Sequence, residues 1–600
     1  MRKEVKPMRR NRIFRKSIAI ILVLILFVSI KPVPVLAAVL PSSYSSVEKG
    51  FVTSVKDQDP WGTCWSFSAI ACMESYAISH GYANNTLDLS EYALVQLTYN
   101  DFGFESTTGD YTQFKEGLSF ADCLQSGGNY SVAFKTLNKW AGVYQEHEAP
   151  YDRNASDGAT LHDLSGKKPT FYLTGMTLLN LNDLEAVKNA IMENGAVGAS
   201  CNSSSADEMD GDGISSYYVY NYENATYNHA ITLVGWDDNI PATRFSINGH
   251  TPSVNGGWLV KNSWGTSHGK GGYQWISYQD VALLASTGVV YQVAPSSAYD
   301  YNYQHDGATQ MSGATLSSES FANVFTVPAE AAEHKLKAVA FGIHATNRSY
   351  SIQIYSLNSF GDNPLNGTPL LSTPVTGSTG AEGYYTVPLP ETVSVTAGTC
   401  FAVVINFDQK TPIWCSTGNW QVGTAGVTTC ARMDGQSFYG NAAGLRGYNS
   451  TKYNSNFCLK AFAVNPALDN VRSDVAIVPS QTIEPVQTPP VQEPVKVPAP
   501  APSQPEAQPA EPEASSEESE SEASSEDNKP EFLTGDVNND GVVDLLDLVI
   551  LKRRTLLNAK GVNTRDMGNY DVDNDGDVDM DDYISLRSRI MKNFEMTGAH

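Results

Sequence analysis

The chain has 600 residues, 41% of them hydrophobic and 10% aromatic, which is enough for several packed cores and suggests about four domains. Its formal net charge of −25 argues against nucleic acid and anionic membrane as partners.

The chain opens with a basic head, Arg2, Lys3, Lys6, Arg9, Arg10, Arg12, Arg15 and Lys16. An apolar run from Ile18 to Ile30 follows, too short for a comfortable membrane span, and then the small-residue site Val35-Leu36-Ala37-Ala38. Residues 1–38 therefore read as a signal peptide, which makes the protein secreted and without a permanent membrane anchor. The Arg9-Arg10 pair hints at a twin-arginine route, but the strongly apolar run fits the general secretory route better.

The stretch from Asp57 to Phe67 places a carboxamide, Gln58, shortly before a cysteine, Cys64, that opens a helix. Gly62 and Thr63 form the turn, and Trp65 to Tyr76 is helix-compatible, with Phe67, Ile70, Ala71 and Tyr76 on a broad apolar face. A thiol attacks a carbonyl as thiolate, and a helix N-terminus is expected to hold the Cys64 pKa down. The Gln58 side-chain amide, with the Cys64 N–H, is suited to hold an oxyanion. The structural alternative is a small buried hydrophobe at a helix start. Further on, His229 opens the apolar strand-like run Ala230 to Trp236, where a general base is wanted. Asn262 follows a second run, Trp258 to Lys261, and is of the right type to hold an imidazole in one tautomer. The complete order Gln, Cys, His, Asn favours catalysis over four separate structural roles.

These four residues resemble the papain family of cysteine peptidases, and the resemblance spans about residues 45 to 290. Asp88-Leu89-Ser90-Glu91 is similar to the family's Leu-Ser-Glu segment, Gly127-Gly128 to the glycine pair that binds substrate backbone, and Trp264 to the indole that shields the His–Asn pair. The resemblance implies an α+β peptidase domain over residues 39–296, acting on peptides or proteins with no cofactor for catalysis. Little chain separates Ala38 from Gln58, so no long inhibitory pro-segment and no proteolytic maturation are expected. Two departures stand out. Trp61 occupies the place of a family cysteine, so the disulfide beside the active site cannot form. His229 lies further from Cys64 than the usual separation of about 130–150 residues, which implies an insertion, placed between Cys201 and Tyr227. Two other classes stay open: an impaired peptidase fold that serves as a glycan- or protein-binding component, and an acyl transferase.

The cysteines are Cys64, Cys72, Cys123, Cys201, Cys400, Cys415, Cys430 and Cys458, with no C-x-x-C spacing. If Cys64 is free, at least one other is unpaired. The four beyond residue 300 form two bridges or none.

Across residues 299–465 the texture changes to short runs punctuated by Gly, Asn, Ser and Pro. Ser351 to Leu357 alternates and Thr399 to Phe407 is more continuously apolar, the signature of an antiparallel β-sandwich. It resembles the lectin-like modules that follow secreted bacterial papain-like domains, either as a glycan-binding module or as a scaffold packed on the peptidase. Trp414 and Trp420 are suited to stack on sugars, but a core role is expected of them. Residues 466–530 read as a linker, first proline-rich and extended, then rich in Ser, Glu and Ala and self-repelling.

Residues 531–600 hold a repeat. Asp536, Asn538, Asp540, Gly541, Asp544 and Asp547 occupy positions 1, 3, 5, 6, 9 and 12 of a calcium loop, and Asp571, Asp573, Asp575, Gly576, Asp579 and Asp582 do so again. Val542 and Asp577 supply the position-7 carbonyls. Both loops end in Asp rather than Glu, and Pro530 and Gly535 leave no room for an entering helix. Each loop precedes an amphipathic helix, with Leu548, Val549 and Leu551 matching Tyr583, Ile584 and Leu586. This loop–helix pair resembles the dockerin, a small all-α module that plugs enzymes into cohesin domains of a cellulosome scaffold. The resemblance implies two Ca²⁺ ions, and cohesin contact through Lys552, Arg553 and Arg587. Stripping calcium should unfold residues 531–600, because the carboxylates would crowd an empty site. Circular dichroism with and without chelator checks this, and unchanged helix content would contradict it.

Overall fold

The computed structural model describes residues 40–466 apart from 105–109, 154–158, 204–207, 210–216, 308, 330–332, 417–419, 423–425 and 430–431, together with Val572, Ser585 and Leu586. Two compact units divide the chain, residues 1–489 and 490–600. Of the second unit, Ser585 and Leu586 are helical and Leu586 is buried, as the second amphipathic run requires. No helix among the described residues is long and apolar enough to cross a membrane.

The first unit begins with helices packed on an antiparallel sheet. The Cys64–Ser79 helix is buried almost all round rather than along one face, which is why its sequence shows little polar–apolar contrast. Ser90 caps the Glu91–Tyr99 helix by accepting from the Ala93 N–H at 2.9 Å. Asn129 does the same for the Tyr130–Asn138 helix, accepting from Ser131 and Val132.

The sheet then runs through Phe171–Asn180, Thr287–Pro295, Val197–Cys201, His229–Asp237, Gly257–Lys261 and Tyr273–Ser277. Its inner face carries Ile231, Leu233, Trp236, Trp258, Val260 and Ile276 around a compact core. At Gly235 the short strand Ser43–Ser45 passes so close that an added Cβ would lie 2.3 Å from the Tyr44 carbonyl oxygen, so only glycine fits.

Beyond residue 300 the expected sandwich is present. One antiparallel sheet orders Val375–Thr379, Arg348–Leu357, Cys400–Ser416, Thr309–Thr326, Ser437–Asn441 and Gly444–Gly447. The other orders Gly383–Thr396, Glu333–Ile343, Leu459–Val464 and Tyr301–Tyr303. Phe321, Ile352, Ile354, Val403 and Ile405 meet Val339, Phe341, Leu459 and Ala461 between them. The alternation in Arg348–Leu357 is broken at Gln353, which is buried and exchanges hydrogen bonds with the Leu371 backbone, Nε2 donating at 3.1 Å and Oε1 accepting at 3.1 Å.

The two segments are not independent bodies. Glu333–Ile343 is buried on both faces: Val339 and Phe341 face the sandwich interior, while Ala338 and Ala340 join Tyr384, Trp414 and Phe462 in a core shared with Trp65, Val95 and Phe134. Backbone pairing also crosses the boundary, Gly383 and Tyr384 with Thr177 and Met176, and Gly426–Thr429 with Tyr111–Phe114. Arg432 and Asp110 form an almost fully buried ion pair across the same boundary at 2.8 Å. Trp414, fully buried against Phe134, is a core side chain rather than a sugar platform, and truncating a ring of this kind costs about 3–5 kcal/mol. Cys64, Cys72, Cys123, Cys201, Cys400, Cys415 and Cys458 are all free thiols, and Cys430 lies outside the described residues.

Candidate active site

Cys64 is the first residue of its helix, as expected from the turn at Gly62 and Thr63. Its sulfur lies against the backbone of Ala230, the residue after His229, and of Trp65 and Cys64 itself. Those contacts lower the thiol pKa, but burial outweighs them and pushes it up. The expectation that a helix N-terminus holds the thiol down is therefore corrected: a sulfur largely enclosed by protein loses more solvation than the backbone groups around it return.

His229 opens its strand and Asn262 follows the neighbouring one, so strand pairing brings them together from distant positions. His229 Nε2 lies 2.8 Å from Asn262 Oδ1. The same oxygen accepts from the Ser263 N–H at 2.7 Å, while Asn262 Nδ2 donates to Gln274 Oε1 at 2.7 Å. These bonds fix the amide with its oxygen toward the ring. His229 Nε2 therefore carries the hydrogen, and Nδ1 is left as the basic nitrogen. Trp264 stacks on the imidazole with centroids 4.4 Å apart, and His268 sets its edge on Trp264. Burial under this cover lowers the His229 pKa to about 4, with Asn262 pulling it up and His268 adding to the fall.

Gln58 is held on both sides of its amide. Nε2 donates to the Trp61 carbonyl at 2.9 Å, and Oε1 accepts from Ser263 Oγ at 2.7 Å. Tyr151 donates to the Gln58 carbonyl at 2.7 Å and meets Thr63 Oγ1 at 2.6 Å, tying the turn before Cys64 to the glutamine. Gly127 has φ +69°, and a Cβ on Gly128 would lie 2.5 Å from the Trp65 ring, so the glycine pair stands against the residue next to Cys64.

A cavity lined by Cys201, Asn202, Ser203, His229, Trp264 and Gln274 adjoins the imidazole. Behind the site, Lys56 bridges Glu91 at 2.8 Å, Asp88 at 2.8 Å and Glu74 at 3.2 Å. Of the suspected insertion, Tyr218–Val219 pairs in parallel with Trp275 and Ile276, while 204–207 and 210–216 lie outside the described residues.

Ser263, Gln274, His268 and Tyr151 were not singled out in the sequence. Ser263 borders the Asn262 motif, but Gln274 is found only through strand register, which sets it opposite Val260. The calcium-ligating positions of both loops, with Lys552, Arg553 and Arg587, lie outside the described residues. Their donors are oxygens throughout, which fits a hard cation such as Ca²⁺.

Residues 40–293 match the family model described as papain family cysteine protease, residues 301–463 a lectin-like domain, and residues 534–591 a dockerin type I domain. Residues 40–293 belong to the papain family. The papain-family segment is 28% identical over 244 residues to the senescence-specific cysteine protease SAG12 of Arabidopsis thaliana, covering 40% of this chain and 56% of that protein. It is also 28% identical over 239 residues to fruit bromelain of Ananas comosus, covering 39% and 54%. The chain thus spans little more than half the length of these relatives.

Two solved structures extend the likeness into the sandwich. The clostridial cysteine protease Cwp84 after propeptide cleavage superposes with a TM-score of 0.58 at 25% identity, covering 71% of this chain and 100% of that one. The cysteine protease and lectin-like domains of Cwp84, a surface layer associated protein of Clostridium difficile, superpose with a TM-score of 0.57 at 25% identity, covering 71% and 89%. The chain is accordingly multidomain, with a papain-family segment, a lectin-like β-rich segment and a dockerin.

The His229 shift has a signed consequence for stability. Between pH 6.5 and about 4 the unfolded chain takes a proton that the folded site around His229 refuses. The stabilisation is complete above pH 6.5 and is lost as pH falls toward 4, about 3 kcal/mol in all. Urea midpoints measured from pH 7 to 4.5 should therefore fall more steeply in the parent chain than in His229→Gln. Parallel curves would contradict a buried site that refuses a further proton in this range.

Proposed function

We propose that the chain is a secreted cysteine endopeptidase carried on a cellulosome scaffold. The observation that supports this best is the Asn262 amide, which leaves His229 Nδ1 as the basic nitrogen, while the backbone of the next residue, Ala230, reaches the sulfur of the helix-opening Cys64. In this reading His229 takes the Cys64 proton, so that thiolate and imidazolium arise together and neither charge stands alone in the buried site. The sulfur attacks the peptide carbonyl. Gln58 Nε2, with one hydrogen on Trp61 and the other unassigned, joins the Cys64 N–H in holding the oxyanion.

His229 then returns its proton to the leaving amine, and water releases the acyl group by the reverse route. Asn262 orients His229, Gly127 and Gly128 pair with substrate backbone, and Trp264 keeps water from the His–Asn bond. The segments are proposed as a signal peptide over 1–38, a peptidase domain over 39–296, a β-sandwich over 299–465, a linker over 466–530 and a dockerin over 531–600. The dockerin would hold two Ca²⁺ ions through its two aspartate-rich loops and offer Lys552, Arg553 and Arg587 to a cohesin.

Cleavage of a peptide library by the mature chain tests the reading. Cys64→Ser should abolish turnover, His229→Ala should lower kcat by about 10²–10⁴-fold, and Gln58→Ala by about 10²–10³-fold. Undiminished hydrolysis in Cys64→Ser would overturn it. Acyl transfer to an added amine in place of hydrolysis would reassign the reaction.

A further inference from the structure

The substrate-facing glycine pair and the β-sandwich sit at opposite ends of one helix. At its head, Gly127 and Gly128 lie against Trp65, and Tyr99 donates to the Gly127 carbonyl at 2.6 Å. Asn129 caps the helix directly after them. At its tail, anchors from the sandwich join those of the papain-family segment, in which Thr136 Oγ1 meets Thr98 Oγ1 at 2.7 Å, Lys139 pairs with Asp101 and Trp140 stacks on Tyr172 at 3.8 Å. Phe134 meets Trp414 and Tyr384 edge-on, with centroids 5.1 and 5.6 Å away. Lys135 donates to Thr428 Oγ1. Asn138 Nδ2 donates to Asp306 Oδ2 at 3.1 Å, and the Cys458 thiol donates to Asn138 Oδ1 at 3.7 Å. One residue beyond the helix, Gln304 Nε2 donates to the Lys139 carbonyl at 3.0 Å, and Trp140 stacks on Phe462 at 4.8 Å.

Asp306 is itself held by Lys460 at 2.6 Å, with both side chains fully buried, and Lys460 also donates to Gln304 at 2.6 Å. Burying an ion pair adds little net stability compared with an apolar filling, but its hydrogen bonds have direction. An apolar contact leaves a helix free to slide or turn by a fraction of an ångström. A buried carboxylate bonded to Asn138 does not. An α-helix rises 1.5 Å per residue and is stiff over two to three turns, so what is fixed at Asn138 is also fixed at Asn129.

We propose that the β-sandwich is a positioning element of the peptide-binding rim: through Asp306, Lys460 and Gln304 it sets the Tyr130–Asn138 helix, and hence Gly127 and Gly128, in register with Cys64. This rests on the peptidase reading above, in which the glycine pair binds substrate backbone. Asn138 is a positioning residue, remote from the reacting atoms, and a small misplacement at the far end of the helix acts on substrate alignment rather than on the nucleophile.

Two reagents on the full mature chain separate these effects. Iodoacetamide alkylates Cys64 without using the glycine pair, whereas a peptidyl chloromethyl ketone must lay its backbone along that pair. In Asn138→Ala the rate constant for the peptidyl reagent should fall about tenfold while that for iodoacetamide is unchanged, and KM for a peptide substrate should rise with kcat nearly constant. Gln304→Ala, which cuts the bond to Lys139 and the Lys460 contact, should shift the ratio in the same direction, and it decides the matter should Asn138→Ala not fold. An unchanged ratio overturns the proposal, and so does an equal fall for both reagents, which would make Asn138 an ordinary structural residue. A parent chain labelled by neither reagent sinks the peptidase reading, and this proposal with it.

Discussion

The hydrogen bond between His229 Nε2 and Asn262 Oδ1 is the contact on which the proposed chemistry depends. It joins the first residue of one strand to the residue just past its neighbour, so it exists only when the sheet has the correct register. Gln274 and the Ser263 N–H orient the amide, and Trp264 keeps the ring dry. The result is one defined tautomer. Its cost is burial, which presses the imidazole toward its neutral form and the neighbouring thiol toward its protonated form. Each pressure acts against a lone charge. A thiolate and an imidazolium formed together by transfer of one proton offset each other, which is why the two groups have to be considered as a unit.

Much of this was legible in the sequence because it is local. The start of the helix at Cys64, the strand opened by His229 and the strand ahead of Asn262 follow from turns and apolar runs a few residues long. The sign of the thiol shift was not legible, because it depends on how much protein encloses the sulfur. Gln274 was not legible either, since nothing near it in the chain announces that strand pairing will set it behind Asn262. Gln353 shows the same limit in the sandwich, where a polar residue in an alternating run is buried because the Leu371 backbone takes up its amide.

The largest difference lies in the joint between the segments. The change in texture near residue 299 is real, yet in space the core continues through it. Glu333–Ile343 reads as a strand with two apolar faces, and such a strand needs a partner layer on each side. One layer is the rest of the sandwich and the other is the helical part of the papain-family segment. The lectin-like segment is thus part of the same folding unit as the papain-family segment, and whatever it binds, it binds as part of that unit. Its buried charges, Asp306 with Lys460 and Arg432 with Asp110, lie at or beside this joint, where direction matters more than bulk burial.

The central claim is that Cys64 and His229 ionise as a pair, and ultraviolet difference absorbance of the thiolate, titrated against pH, measures it directly. In the parent chain, compared with Cys64→Ser, thiolate should be present well below the ordinary cysteine pKa of about 8.5, and in His229→Ala it should appear only above that value. A Cys64 thiol that titrates at or above its ordinary range in both chains would contradict the pair, and with it the hydrolytic account.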